Sequence, residues 1–281
     1  MTQLRELPVD KITKAIGDLI PESAHTLPDD YLEAMRSAQE REASQVGRIM
    51  ISTLLENSDY AASQKIPTCQ DTGMAIVMLE IGQDVHLVGG GLTDAVNAGV
   101  RQGYADLRKS VVADPLLREN TADNSPAVLH TDIVPGDRLK ITVAMKGFGA
   151  ELMSRLQMLP ANSGSAAVTE FVLETVRAAG PNACPPIIVG VGLGSSFDGV
   201  GLLAKKALMR PLGQPSPQPH IAQLEQELLQ QVNALGIGPQ GFGGSVTALA
   251  VHIESFTTHI AALPVAVNLN CSAPRRASII L

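Results

Sequence analysis

The stretch Pro186-Ile-Ile-Val-Gly-Val-Gly-Leu193 is a continuous apolar run that opens into Gly190, Gly192 and Gly194, and residues 199–209 behind it read as a helix. A run this short, bounded by turn formers, has the pattern of a buried strand. The same alternation recurs along the chain. Residues 30–57 read as one helix, with Leu32, Met35, Val46, Ile49, Met50 and Leu54 at three- and four-residue steps, and the polar stretch after residue 57 is expected to end it. Strands are predicted at 74–81, at 138–145, where Leu139, Ile141 and Val143 alternate with polar neighbours, and near 246–253, 265–269 and 277–281. Helices are predicted at 91–110, 163–178 and 222–235, and Pro215 to Pro219 form a surface turn. Strands alternating with helices predict an α/β fold of mixed sheets flanked by helices.

At 281 residues, 45% hydrophobic and 17% charged, the chain can bury one large domain spanning 1–281 or two smaller subdomains. A formal net charge of -7 provides no basic field for nucleic acid or anionic lipid, so any anion site must be local. With 3% aromatic residues and no Trp, platforms for stacking nucleobases are not expected. No apolar run approaches the roughly 18 to 20 residues that cross a bilayer, and the start of the chain lacks a basic stretch followed by an apolar core. A cytoplasmic location is the expectation.

Three widely separated cysteines, Cys69, Cys184 and Cys271, are an odd number for a disulfide framework and form no C-x-x-C pair. Isolated cysteines are ordinarily small buried hydrophobes. Apolar burial, however, does not call for Gln70 and Asp71 beside one cysteine or Arg275 and Arg276 just past another. Those neighbours suit a polar cavity. Three thiolates also suit an iron–sulfur cube with one iron left free of protein, because full ligation takes four. A free iron can polarise a substrate hydroxyl.

The motifs Ile66-Pro-Thr-Cys-Gln-Asp-Thr-Gly73, Glu119-Asn-Thr-Ala-Asp-Asn-Ser-Pro-Ala127, Asn182-Ala-Cys-Pro-Pro186 and Leu235-Gly-Ile-Gly-Pro-Gln-Gly241 carry a resemblance, as does Thr258-His-Ile-Ala-Ala-Leu-Pro264 leading to Cys271. Over nearly its whole length the chain resembles the α chain of class I fumarases and tartrate dehydratases. The resemblance implies a [4Fe–4S] cluster on Cys69, Cys184 and Cys271, and a small dicarboxylate substrate. It implies Gln70 and Asp71 at that substrate, Arg108 on a carboxylate, His259 near the hydroxyl or carboxylate, and the glycines Gly147 and Gly149 passing backbone close to the ligand. Arg108 falls on a predicted helix, where an exposed salt bridge is the ordinary alternative, and His259 is one of six histidines. Gly190 to Gly194 lacks the G-x-G-x-x-G order of a dinucleotide site, so a tight backbone near the cluster is expected there.

The chain departs from that family at two motifs. Lys146-Gly-Phe-Gly-Ala-Glu-Leu152 stands where fumarases usually have Lys-Gly-Gly-Gly-Ser-Glu-Asn, and Ser272 stands where many have His. Fumarate is the substrate implied first, tartrate or a related hydroxy diacid second, and a non-enzymatic iron–sulfur protein is the reading from another class. The chain ends soon after Cys271 where single-chain members continue, which implies a β-type partner and an α2β2 assembly.

Overall fold

The computed structural model describes residues 4–281, and their contacts divide into two compact units. The first comprises the described part of Met1–Pro28, Ser58–Phe148 and Pro274–Leu281; the second comprises Asp29–Asn57 and Gly149–Ala273.

The first unit is built on a four-stranded mixed sheet in the order Arg276–Ile280, Leu139–Lys146, Met74–Gly82, Val128–Val134. The first two pairings are antiparallel and the last is parallel. Helices Val9–His25 and Leu92–Gly103 bring Ile12, Ile16, Ile20, Val96 and Val100 against Val77, Leu79, Ile141 and Val143, all fully or nearly fully buried. A two-stranded parallel pair, Arg5–Pro8 with Val85–Val88, lies beside this core.

The second unit repeats the plan with different residues. Its sheet runs Arg155–Pro160, Ala262–Asn270, Ile187–Ser195, Ala248–Thr258, again with two antiparallel pairings followed by a parallel one. The apolar run at Ile187–Ser195 resolves into two faces because successive side chains of a strand point oppositely. Val189 and Val191 join the core formed with helices Gly164–Ala179 and Pro219–Ala234. Gly190 and Gly192 admit helix Phe197–Ala207, since a Cβ there would lie 2.4 Å from the Ala204 carbonyl oxygen and 2.2 Å from that of Val200. Helix packing explains these two glycines.

In each sheet one inner strand begins a few residues after a cysteine: Met74–Gly82 after Cys69, and Ile187–Ser195 after Cys184. Its antiparallel neighbour ends at the same end of the sheet, at Lys146 in one unit and at Asn270, next to Cys271, in the other.

The expected helix at 30–57 is two helices, Asp29–Arg41 and Gln45–Gln64. The break falls where the Glu42 carboxylate turns back to accept the Ser44 N–H at 2.7 Å, a local bond that competes with the helix. Nothing after Asn57 stops the second helix, because polarity without Gly or Pro does not break helical backbone. The helix expected at 91–110 stops at Gly103, and Lys109 Nζ donates to the carbonyls of Tyr104, Ala105 and Leu107 beyond its end. Arg108 is therefore on a loop. The strand Val128–Val134 and the helix Val9–His25 were not expected from the periodicity.

Candidate active site

Residues 66–73 run from the end of helix Gln45–Gln64 into the strand that starts at Met74, and the turn between them carries Cys69, Gln70 and Asp71. Asp71 shapes this turn. Its Oδ1 accepts the Gly73 N–H at 2.9 Å and its Oδ2 accepts the Phe148 N–H at 2.8 Å, so one carboxylate ties the start of one strand to the end of its neighbour. Hydrogen bonds to an ionised acceptor are each worth about 1.5 to 3 kcal/mol, enough to hold the side chain in place. Behind it, the buried Arg275 guanidinium donates through Nη1 to the Asp71 carbonyl, while Arg275 Nε has no partner.

The loop carrying Arg108 is fastened from two sides. Thr72 Oγ1 donates to the Arg108 carbonyl at 2.6 Å, and Asn124 Nδ2 donates to the same oxygen at 3.2 Å. Asn124 is fully buried with φ of 61°, and its Oδ1 accepts the N–H groups of Ser110 and Val111. Tyr104 donates from its hydroxyl to the Thr72 carbonyl at 3.1 Å, and burial pushes that hydroxyl well above its usual pKa.

These ties open a polar cleft of about 340 Å³ lined by Gln70, Asp71, Arg108, Lys109, Ser110 and Asn120. Three of the residues expected at a substrate thus meet in one cavity. Because Lys109 is committed to backbone carbonyls, Arg108 is the cation offered to an anion there. A groove of about 380 Å³ in the second unit is slightly larger, but volume does not choose the site. Its buried Glu225 already accepts from Arg210, Ser216 and Ile253.

Gly147 borders Asp71. A Cβ at that position would stand 3.0 Å from Asp71 Oδ2 and 3.2 Å from Arg275 Nη2. Gly147→Ala is therefore expected to push the carboxylate off the Phe148 N–H and lower turnover by about 100-fold, the scale of a displacement of around 1 Å at a reacting centre. Steady-state kinetics together with a melting curve shifted by only a few degrees would check this. Gly149 is different: a Cβ there meets only the Asn182 carbonyl oxygen, at 3.6 Å, which is ordinary contact.

None of the three cysteines is in a disulfide; Cys184 is exposed and the other two are partly exposed. Cys69 Sγ donates to Gln70 Oε1 at 3.3 Å. Cys184 holds a left-handed backbone, φ 52° and ψ 65°, three residues ahead of the strand Ile187–Ser195. In the second unit the Cys184 and Cys271 segments lie side by side, because the Ser272 N–H donates to the Cys184 carbonyl at 3.0 Å. Among the described residues no three of His, Cys, Asp and Glu stand together as a site for a single metal ion. The donor chemistry, three accessible thiols without disulfides, fits an iron–sulfur cluster.

His259 sits in the turn between Ala248–Thr258 and Ala262–Asn270, where its Nδ1 accepts the Ala261 N–H at 3.2 Å. The register pairs Ser195 with Thr258 and Ile188 with Asn270, so His259 stands at the opposite end of this sheet from Cys184 and Cys271. The structure does not bring it to those two cysteines.

Sequence reasoning assigned no role to Thr72, Tyr104, Lys109, Asn120 or Asn124. The two asparagines lie in a motif it had singled out, whereas Tyr104 reaches the site only through the fold.

A family model described as Fumarate hydratase (Fumerase) matches residues 13–280. Among curated relatives, a protein of Methanocaldococcus jannaschii named "Putative L(+)-tartrate dehydratase subunit alpha" is 39% identical over 95% of this chain and 96% of its own length. The L(+)-tartrate dehydratase subunit alpha of Escherichia coli O157:H7 is 34% identical over 97% of this chain and 91% of its own. That of Shigella sonnei is 33% identical over the same shares.

Proposed function

The chain belongs to the fumarate hydratase (Fumerase) family of hydro-lyases, and from that premise we propose that it is the α-type subunit of an iron–sulfur enzyme that adds or removes water on a four-carbon dicarboxylate. One observation carries the reading: Gln70, Asp71 and Arg108 line a single polar cleft, and the turn that supplies the first two also carries Cys69. The relatives named as tartrate dehydratase subunits support L(+)-tartrate, which loses water to give oxaloacetate. The description of the family model supports fumarate, which takes up water to give malate.

Cys69, Cys184 and Cys271 would hold a [4Fe–4S] cluster, which when bound supplies a Lewis acid for the substrate hydroxyl. The chain's own residues do the rest of the binding on this side. Arg108 presents a planar fork to one substrate carboxylate. Gln70 supplies an amide to orient the substrate, and Asp71, fixed by the Gly73 and Phe148 N–H groups, presents its remaining acceptor capacity to the hydroxyl. The Gly147 backbone lies against Asp71 without a side chain to crowd it. His259, which the family resemblance places near the substrate hydroxyl or carboxylate, lies at the far end of its sheet from Cys184 and Cys271.

Water addition across a double bond also needs a clamp for the second carboxylate and a group to move the carbon-bound proton. A β-type subunit would supply both, in keeping with the relatives' designation as α subunits. No helix among the described residues is long and apolar enough to cross a membrane.

The test is anaerobic preparation of the chain alone and with its β-type partner, assayed with L(+)-tartrate, fumarate and malate. Turnover is expected only in the complex, and the larger kcat/KM identifies the substrate. Arg108→Ala in the complex is expected to lower kcat/KM by about 10- to 150-fold, the equivalent of a lost charge-assisted pair. A complex that turns over none of these diacids would overturn the proposal, and an unaffected Arg108→Ala enzyme would return that residue to the surface.

A further inference from the structure

The Cys184 and Cys271 segments are gripped together by side chains that line no part of the cleft. Gln240 holds both. Its backbone N–H donates to the Pro185 carbonyl at 2.7 Å, and its side-chain amide donates to the same oxygen at 2.6 Å and to the Ser272 hydroxyl at 3.2 Å. From the other side Tyr31, only 1% exposed, donates its hydroxyl to the Ser272 carbonyl at 2.6 Å. Ser272 in turn donates its N–H to the Cys184 carbonyl. One residue beside Cys271 is thus tied to the other cysteine segment, to a loop and, through a buried tyrosine, to helix Asp29–Arg41.

Gln240 holds φ 53° and ψ 18°, a left-handed conformation that disfavours a side chain. Strain of this kind persists only where the surroundings over-determine it. Glycines stand at 236, 238, 241, 243 and 244 in the same loop, yet position 240 keeps a side chain, and that side chain spans the two cysteine segments. The Ser272 hydroxyl, one residue past Cys271, is the atom Gln240 reaches on that side.

We propose that Gln240 and Tyr31 are positioning residues that set the spacing of the Cys184 and Cys271 thiols. Thiols held at fixed spacing bind a rigid cluster with less ordering cost and release it more slowly. The role in cluster retention rests on the reading of the cysteines as ligands; the positioning itself does not.

The experiment separates the two. The full chain carrying Cys69→Ser, reduced and iron-free, is treated with dibromobimane, which becomes fluorescent when it bridges two thiols. Gln240→Ala and Tyr31→Phe are each expected to slow bridging by about 3- to 10-fold, as loss of a hydrogen bond allows. Gln240→Glu, which cannot donate from its side chain at neutral pH, should behave like the alanine variant. Val232→Ala, a core truncation in the same unit, lowers stability and should leave bridging unchanged. In the chain with all three cysteines, reconstituted anaerobically, the same substitutions are expected to speed iron release to a chelator by a similar factor. Bridging unchanged in Gln240→Ala and Tyr31→Phe, or slowed equally by Val232→Ala, overturns the proposal. A parent chain that takes up no cluster while bridging still slows in the variants leaves the positioning intact and refutes the ligand reading.

Discussion

Cys184→Ser is expected to leave the protein folded but colourless, with iron lost and hydro-lyase activity down by at least about 1000-fold in the β-completed enzyme. The size follows from the role proposed for the cluster, since a Lewis-acidic iron would be lost when the cluster is not held. A serine hydroxyl does not replace the thiolate, because iron–sulfur clusters select soft sulfur ligands and the thiolate is the ligating form. Cys184 makes this a clean experiment: it is exposed, and serine nearly matches its volume, so the fold should change in stability by no more than about 0.5 kcal/mol. Far-UV circular dichroism and melting should superimpose on those of the parent while the visible absorption disappears. Cys69→Ser and Cys271→Ser should repeat the result. Iron and activity retained in Cys184→Ser would remove this cysteine from the ligand set, and stoichiometric zinc in the parent protein would remove the cluster.

The second large effect concerns stability. Glu42→Gln is expected to destabilise the second unit by about 3 kcal/mol, because the carboxylate it replaces is 1% exposed and serves four donors. Oε1 accepts the N–H groups of Ser44 at 2.7 Å and Ser245 at 2.9 Å, with the Ser245 hydroxyl at 3.3 Å, and Oε2 accepts the Val246 N–H at 2.7 Å. An amide keeps one acceptor oxygen and turns its NH₂ toward a donor, leaving buried N–H groups without a partner. The melting temperature should fall by about 6 to 12 °C. Burial raises the pKa of Glu42, but the N–H groups of Ser44, Ser245 and Val246 and the Ser245 hydroxyl outweigh it and hold the carboxyl below the usual range. A group with a lowered folded pKa binds its proton more tightly in the unfolded chain, so its contribution is complete above the unfolded carboxylate pKa of about 4.3. It is lost as pH falls through the folded value. The gap between parent and Glu42→Gln should accordingly be constant near neutrality and narrow in acid. An equal gap at all pH values would show that the charge is not what matters.

Glu42 also connects stability to the site. It fastens Ser245 and Val246, at the end of the loop that carries Gln240, and Gly244 makes room for it, since a Cβ there would stand 2.5 Å from Glu42 Oε1. Loosening that loop should therefore weaken the grip on the Cys184 segment as well as the fold.

The apolar runs at 74–81 and 186–193 and the alternation at 138–145 identified inner strands of both sheets, because burial on a sheet forces a hydrophobic pattern that local residues display. The helix limits were less legible. At the break the Glu42 carboxylate accepts from Ser44 locally and also from residues 245 and 246, and the end at Gly103 places Arg108 on a loop whose shape Thr72 and Asn124 decide from elsewhere in the chain. A strand as exposed as Val128–Val134 carries little apolar signal, and its pairing with Met74–Gly82 is what makes it a strand.

The sequence by itself determined the chemistry on offer: three thiols outside any disulfide pattern, an acid and an amide beside the first of them, and motifs specific enough to indicate the family. Those are properties of residue type and short spacing, which need no fold to be read. Only the tertiary structure decided which groups meet. It placed Gln70, Asp71 and Arg108 around one cleft, assigned Gly190 and Gly192 to helix packing, and set His259 at the opposite end of its sheet from Cys184 and Cys271. It also revealed Gln240 and Tyr31 as the residues holding two cysteine segments together. The physical reason is that hydrogen bonds and steric contacts between residues tens to hundreds of positions apart arise from strand order and register, and no local window of sequence contains them.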